Sequence, residues 1–122
     1  MNFLEAADLL NRKDRFLILT HRRPDGDTVG CAAGLCAALR GIGKLAFVQE
    51  NAEITPRMRP FAERYFAVPD YAPAFIVTVD IADAGLMPRD TELPADRIDL
   101  ALDFINLVIE YRCPLFQSLT LP

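Results

Sequence analysis

The chain has 122 residues, of which 52% are hydrophobic and 25% are charged, and its formal net charge is -4. This length and composition predict one compact domain, and the acidic balance argues against a basic face for long duplex nucleic acid. The sequence shows neither a signal peptide nor the run of about 20 apolar residues that a membrane span needs. Its three cysteines lack zinc-site spacing and an even count, which indicates free thiols and a cytoplasmic protein.

The hydrophobic pattern alternates between helix-like and strand-like segments along the chain. It predicts helices over residues 2–11, 28–42, 57–65 and 83–86, and strands over residues 16–20, 45–49, 75–79 and 98–102. The long helix over 28–42 is expected to end at Gly41 or Gly43. Such an alternation predicts an α/β fold with a doubly wound, mostly parallel sheet.

The same pattern predicts which helix residues face the core. The residues expected on buried faces are Phe3, Ala6, Ala7 and Leu10 in the first helix, Cys31 and Cys36 in the long helix, and Met58, Phe61 and Tyr65 in the helix over 57–65.

The seven residues from His21 to Asp27 follow the first strand directly and carry the strongest chemical signal. They place one imidazole and the carboxylates of Asp25 and Asp27 in a tight turn made by Pro24 and Gly26. Ligands of open α/β sheets bind at the C-terminal ends of strands, and these donor types suit Mn, Mg, Fe or Zn. The sequence therefore indicates half of a metal site. The simpler alternative is an ordinary turn in which Asp27 caps the following helix.

Two later strands also lead into an acid. Asp80 follows the strand over 75–79, and Asp103 follows the strand over 98–102. If the strands are parallel, Asp80 faces the loop that contains His21. The alternative is that each of these acids caps the segment after its strand, and Asp83 is interpreted as a solvated turn residue.

These residues together resemble the DHH family of phosphoesterases, and within it the bifunctional oligoribonuclease and PAP phosphatase (nanoRNase) branch, which is related to the RecJ exonucleases. The likeness covers residues 1–103. One family signature, His-x-x-Pro-Asp-Gly-Asp-x-x-Gly, runs from His21 to Gly30, and a second, Val-Asp-x-Ala-Asp, runs from Val79 to Asp83.

The resemblance implies a metal-dependent phosphoesterase that hydrolyses short oligoribonucleotides or PAP-like phosphorylated nucleotides. It implies two Mn²⁺ or Mg²⁺ ions in the family, of which we expect one to be retained here because the chain as given lacks part of the active site. His21, Asp25 and Asp80 would bind one ion, and Asp27 with the shared Asp80 would bind the other.

Three further residues beside this site receive roles with open alternatives. Arg22 and Arg23 are expected to neutralise a substrate phosphate, and the alternative is a solvated pair of loop residues. Asp103 is expected to orient the metal ligands without binding the metal itself, and the alternative is a cap at the end of its strand.

The likeness ends at Asp103. The family continues with two histidines, whereas this chain continues with Phe104 and Ile105. Residues 104–122 match nothing in the family, and its C-terminal substrate-binding domain is expected to be absent. A truncation, a frameshift and a fragment are equally open explanations. Two alternatives to an enzyme follow: a noncatalytic DHH-fold remnant or regulatory domain that binds a metal or nucleotide, and an unrelated flavodoxin-like or nucleotide-binding domain.

Overall fold

The computed structural model describes residues 1–21, 23–79, 97–103 and 108–111. Within these ranges the chain forms two α-helices, five strands and two short 3-10 helices. The helices are α1 (Phe3–Arg12) and α2 (Gly26–Gly41), the 3-10 helices are Arg59–Phe61 and Glu63–Tyr65, and the strands are β1 (Phe16–Thr20), β2 (Ala46–Val48), β3 (Phe75–Val79), β4 (Leu100–Asp103) and β5 (Val108–Tyr111).

The five strands form one sheet in the order β2-β1-β3-β4-β5. β1 to β4 are parallel, and β5 pairs with β4 in the antiparallel direction. This is a doubly wound strand order, in which the direction of winding reverses between β1 and β3. The structure confirms the predicted α/β fold with a mostly parallel sheet. β5 lies in residues 104–122, where the sequence predicted no element.

Both faces of the sheet are buried, as expected for strands with continuous apolar runs. Phe16 and Ile18 of β1 face the layer formed by α1 and α2, where Leu9 and Cys36 lie in the same cluster. Leu17 and its neighbours on the other strands face the opposite side, where the described part of the chain supplies Tyr71 as a cover. Every position of β1 is buried, and its apolar side chains alternate between the two faces, so a one-residue shift of its register against β2 and β3 would exchange the two sets of core side chains.

The first helix begins one residue later than predicted and turns a different side to the core. Asn2 and Glu5 form a reciprocal capping box that sets the start of α1. Ala6 and Leu9 are the buried residues, and Leu10 packs partly against the same cluster. The prediction that Phe3 is buried was wrong, since it is 56% exposed; Ala7 is exposed as well. Burial follows Ala6, Leu9 and Leu10, which have the i, i+3, i+4 spacing of one helix face.

The predicted α-helix over residues 57–65 was wrong. The segment forms two single 3-10 turns instead, and Pro60 lies inside the first of them. Proline has no backbone N–H and its ring clashes with the carbonyl four residues earlier, so an α-helix cannot continue through it. Tyr65 and Met58 are half-buried against the core, whereas Phe61 is 62% exposed and does not point inward.

The long helix α2 begins two residues before the predicted start and ends at Gly41, one residue before the predicted end. Gly43 follows with a φ of 85°, and its amide N–H donates to the carbonyl of Arg40. This left-handed residue closes the helix, because glycine adopts positive φ without steric cost. Cys36 is fully buried as predicted, but Cys31 is only half-buried and is not a core residue.

Candidate functional site

The sheet brings the ends of β1 and β3 level with each other. Thr20, the last residue of β1, is paired with Val79, the last residue of β3. The chain continues into His21 after the first and into Asp80 after the second. The gap between these two strands is the point at which the winding of the sheet reverses, and ligands of such sheets bind outside the strand ends there. Asp80 itself lies outside the described residues.

Asp25 is the N-cap of α2. Its Oδ1 accepts a hydrogen bond of 2.9 Å from the backbone N–H of Thr28. The backbone and hydroxyl of Thr28 hold the pKa of the Asp25 carboxyl below its ordinary value, and the charge of His21 acts in the same direction. The alternative interpretation of this turn therefore named the wrong residue, because Asp25 and not Asp27 caps the helix. The cap lies two residues earlier, where the chain is still extended, which is the backbone conformation of an N-cap.

Thr28 brings His21 and Asp25 together. Its hydroxyl lies 3.2 Å from Nε2 of His21, while its amide binds Asp25. Thr28 is 1% exposed, so these two contacts have a fixed anchor in the first turn of α2. The imidazole is half-buried at the mouth of β1, and the carboxylate beside it is exposed. His21 and Asp25 are therefore linked through Thr28, a residue that was not predicted from the sequence.

A second set of contacts supports the loop from the side of β2. Asn51 is fully buried, and its Nδ2 donates to Oγ1 of Thr20 at 3.1 Å and to the carbonyl of His21 at 3.0 Å. Glu53 accepts a hydrogen bond of 2.9 Å from the backbone N–H of Arg23 through its Oε2. Arg23 has a φ of 48°, a left-handed conformation that is uncommon for a residue with a side chain.

Two of the remaining predicted site residues have described side chains, and the others do not. Asp27 is exposed in the first turn of α2, two residues after Asp25. Arg23 is exposed in the loop itself. Asp103 is the last residue of β4, and its side chain lies outside what the structure describes. Arg22 lies outside the described residues, as do Asp80, Asp83 and the predicted helix over 83–86.

Within residues 1–21, 23–79 and 97–102, no three His, Cys, Asp or Glu side chains converge closely enough to hold a metal ion. At the C-terminal end of β1, the described donors are one imidazole nitrogen and the oxygens of Asp25, with Asp27 nearby. Nitrogen and oxygen donors of this kind match Mn²⁺ and other divalent ions of intermediate or hard character. The chemistry of this pair therefore fits a divalent ion, and the sequence places the next acid, Asp80, directly after the paired end of β3.

The described part of the chain also has a cavity of about 210 Å³ on the opposite face of the sheet. Its lining includes Leu17, Gln49 and Tyr71, and none of the residues of the His21 loop. The Tyr71 hydroxyl donates to the carbonyl of Phe16 at 2.9 Å, so this hydroxyl is already engaged in a hydrogen bond. The cavity is separate from the candidate site.

Comparison with known proteins adds no family to this geometry. Neither a scan against protein-family models nor a search of curated proteins finds a match to the chain. Among the helices in the described ranges, none is both long and apolar enough to cross a membrane.

The sequence analysis missed Thr28, Asn51 and Glu53. Thr28 has a signal in hindsight, because it is the third residue after an Asp that precedes a helix, the place where a capped N–H lies. Asn51 and Glu53 have a weaker signal, since polar residues after a strand are typical of any loop. Only the parallel pairing of β1 and β2 brings them to the His21 loop.

Proposed function

We propose that this chain contains the metal site of a DHH-type phosphoesterase domain that hydrolyses short oligoribonucleotides or PAP-like nucleotides. One observation carries the proposal. Thr28 contacts both His21 and Asp25 at the C-terminal end of β1. This end is paired with the end of β3, from which the chain continues into Asp80. The family motif rests on sequence spacing alone, and the contacts that Thr28 makes with both His21 and Asp25 support the proposal that these two residues act together as ligands.

In this proposal His21, Asp25, Asp27 and Asp80 hold Mn²⁺ or Mg²⁺. The divalent ions supply the positive charge that activates a water and neutralises phosphoryl oxygens. The chain's own contribution is orientation: Thr28 contacts the imidazole through its hydroxyl and the Asp25 carboxylate through its amide. Asp103, at the end of β4, is assigned a supporting role behind the ligands.

The substrate class follows from charge and from the position of α2. The first-turn amides of a helix attract anions, and α2 begins at the site. Arg22 and Arg23 add positive charge beside it. Because the whole chain has a net charge of -4, a short phosphorylated substrate suits it better than a long duplex. Cys36 is a buried cysteine outside any disulfide, which supports a cytoplasmic location.

The test is hydrolysis by the purified chain with Mn²⁺. The assay follows mononucleotide release from RNA of two to five nucleotides and phosphate release from PAP. Because Phe104 and Ile105 replace the histidine pair of the family, we expect slow turnover at most, which His21→Ala and Asp80→Asn should abolish. Asp70→Asn, which changes an exposed acid ahead of β3, is the matched control and should retain the rate. Turnover that survives both site variants would show that another site performs the reaction.

A second candidate is a noncatalytic domain of the same fold that binds a metal or nucleotide. The observation that favours it is Phe104-Ile105, which replaces the histidine pair of the family signature. The second ion then has only Asp27 and the shared Asp80, and loss of one preorganised charge in such a site costs roughly a hundred- to thousand-fold in rate. Mn²⁺ binding that depends on His21 and Asp80, without turnover of RNA or PAP, would select this second candidate.

A further inference from the structure

The side chain of Asn51 is unusual among the polar groups of the described chain because it is fully buried and uses three hydrogen bonds. Both Nδ2 protons are engaged, one by Oγ1 of Thr20 and one by the carbonyl of His21. Its Oδ1 accepts from the amide of Glu53 at 2.9 Å. An asparagine amide has two donors and one acceptor oxygen, so both donors are used and the orientation of the amide is fixed.

These bonds bridge two separate parts of the chain. Asn51 lies three residues beyond the end of β2, while Thr20 and His21 are the last residue of β1 and the first residue after it. The backbone of Ile54 donates to the carbonyl of Asn51, and Ile54 is buried beside Val29 of α2. The turn over residues 51–54 is thus anchored in the core and holds the exit of β1 from the side.

One of the Asn51 hydrogen bonds is made to the backbone carbonyl of His21, the candidate metal ligand. A hydrogen bond to the carbonyl of His21 limits rotation of that peptide and therefore the direction in which the imidazole leaves the strand. Thr28 constrains the other end of the same residue, through Nε2. His21 is held at its backbone by one buried side chain and at its ring by another.

We propose that Asn51 is a positioning residue that presents the His21 imidazole to the divalent ion. The role of the ion rests on the proposed function, whereas the ordering of the imidazole does not. Groups that orient a metal ligand without touching the metal typically contribute about 10- to 100-fold to affinity. Loss of the Asn51 donors is expected to weaken Mn²⁺ binding by at least about 10-fold.

The measurement uses the fact that His21 is the only histidine. Its ring gives one carbon-proton cross-peak, whose position and width report the order of the imidazole, and Mn²⁺ bound nearby broadens that peak. The variants are Asn51→Ala and Asn51→Asp. The second keeps the size of the side chain and an acceptor for the Glu53 amide while losing both donors. In each folded variant we expect the peak to move toward its position in the unfolded chain, and half-broadening to need at least about 10-fold more Mn²⁺.

Two controls separate positioning from a general structural role. Glu50→Ala changes the neighbouring residue, which pairs with Arg59 and not with the loop. Ile76→Val shortens a core side chain on the opposite face and lowers stability without touching His21. Both should leave the His21 peak and its response to Mn²⁺ unchanged. Equal shifts in Ile76→Val and Asn51→Ala would overturn the proposal, because lower stability alone would then explain them.

The wild-type protein supplies a test that does not depend on the folding of any variant. The Asn51 Nδ2 protons should exchange slowly with water, and rapid exchange would overturn the proposal. If Asn51→Asp displaces the His21 peak but Mn²⁺ never broadens the wild-type peak, the positioning stands and the proposed function fails. If Mn²⁺ broadens the wild-type peak and the Asn51 variants respond identically, the metal site stands and the positioning fails.

Discussion

Asp25 has two roles at once, a helix cap that the structure shows and a metal ligand that we propose, and two substitutions separate them. Asp25→Ala removes the acceptor of the 2.9 Å bond from the Thr28 amide. Asp25→Asn keeps an oxygen in the same place but removes the charge. Because Asn caps helices about as well as Asp, the cap survives the second change and the metal ligand does not.

The magnitude follows from the cap. Replacing an N-cap Asp by Ala costs about 1 kcal/mol, within a range of about 0.5 to 2 kcal/mol. For a domain of this size such a loss lowers the melting temperature by about 4 °C. Asp25→Asn loses only the attraction between a charge and the helix dipole, which is about 0.3 to 1 kcal/mol at low ionic strength and less in salt. We therefore expect Asp25→Ala to be clearly less stable than Asp25→Asn.

The pH dependence gives a second check on the same residue. The pKa of Asp25 is lowered in the folded protein, chiefly by the Thr28 amide. Its contribution to stability is therefore complete above the unfolded value of about 3.9 and is lost as pH falls through the lower folded-state pKa. The difference in stability between wild type and Asp25→Ala should shrink as the pH falls through that range.

The assays are urea denaturation followed by circular dichroism and Mn²⁺ binding by isothermal titration. Both Asp25 variants should bind Mn²⁺ more weakly than wild type, although only Asp25→Ala loses the cap. Asp27→Ala is the matched control for stability, since Asp27 is an exposed first-turn acid without the cap bond. Equal stability of Asp25→Ala and Asp25→Asn would refute the assignment of the cap. Unchanged Mn²⁺ affinity in both would refute the assignment of the ligand.

Three further predictions concern residues away from the site. Asp14 accepts hydrogen bonds from the amides of Leu45 and Arg15, which lower its pKa, so Asp14→Asn should flatten the loss of stability on acidification below pH about 3.9; an unchanged acid limb in thermal melts would contradict this. Tyr71→Phe removes the bond to the Phe16 carbonyl and should lower the free energy of unfolding in urea by about 1 kcal/mol, and no measurable loss would count against that bond. Burial raises the pKa of the Cys36 thiol, so peptide mapping after brief alkylation of the folded protein should find Cys36 unmodified, and early modification there would contradict its burial.

The sheet could be predicted from the sequence because its strands are short, continuous apolar runs. β1 and β3 were predicted with the bounds that the structure gives them, since each is followed by a polar residue and has every position buried. The 3-10 turns around Pro60 were not predicted, because an apolar spacing typical of a helix outweighed the missing proline N–H. β5 was missed for a different reason: the residues after Asp103 were judged only by their lack of likeness to the family, although β5 pairs with the strand directly before it in the chain.

The candidate site contains contacts within one turn and contacts between segments that lie far apart in the sequence, and only the first kind could be predicted. The convergence of His21 and Asp25 could be predicted, because both belong to one turn between a strand and a helix. The turn over residues 51–54 could not, because it reaches His21 only through the parallel pairing of β1 and β2. Asn51 follows β2, the edge strand, in sequence, yet its side-chain amide donates to the carbonyl of His21, the first residue after β1. One group that holds the candidate ligand thus comes from the loop after the neighbouring strand, whereas Thr28 and the candidate ligands His21 and Asp25 come from the segment that joins β1 to the first turn of α2.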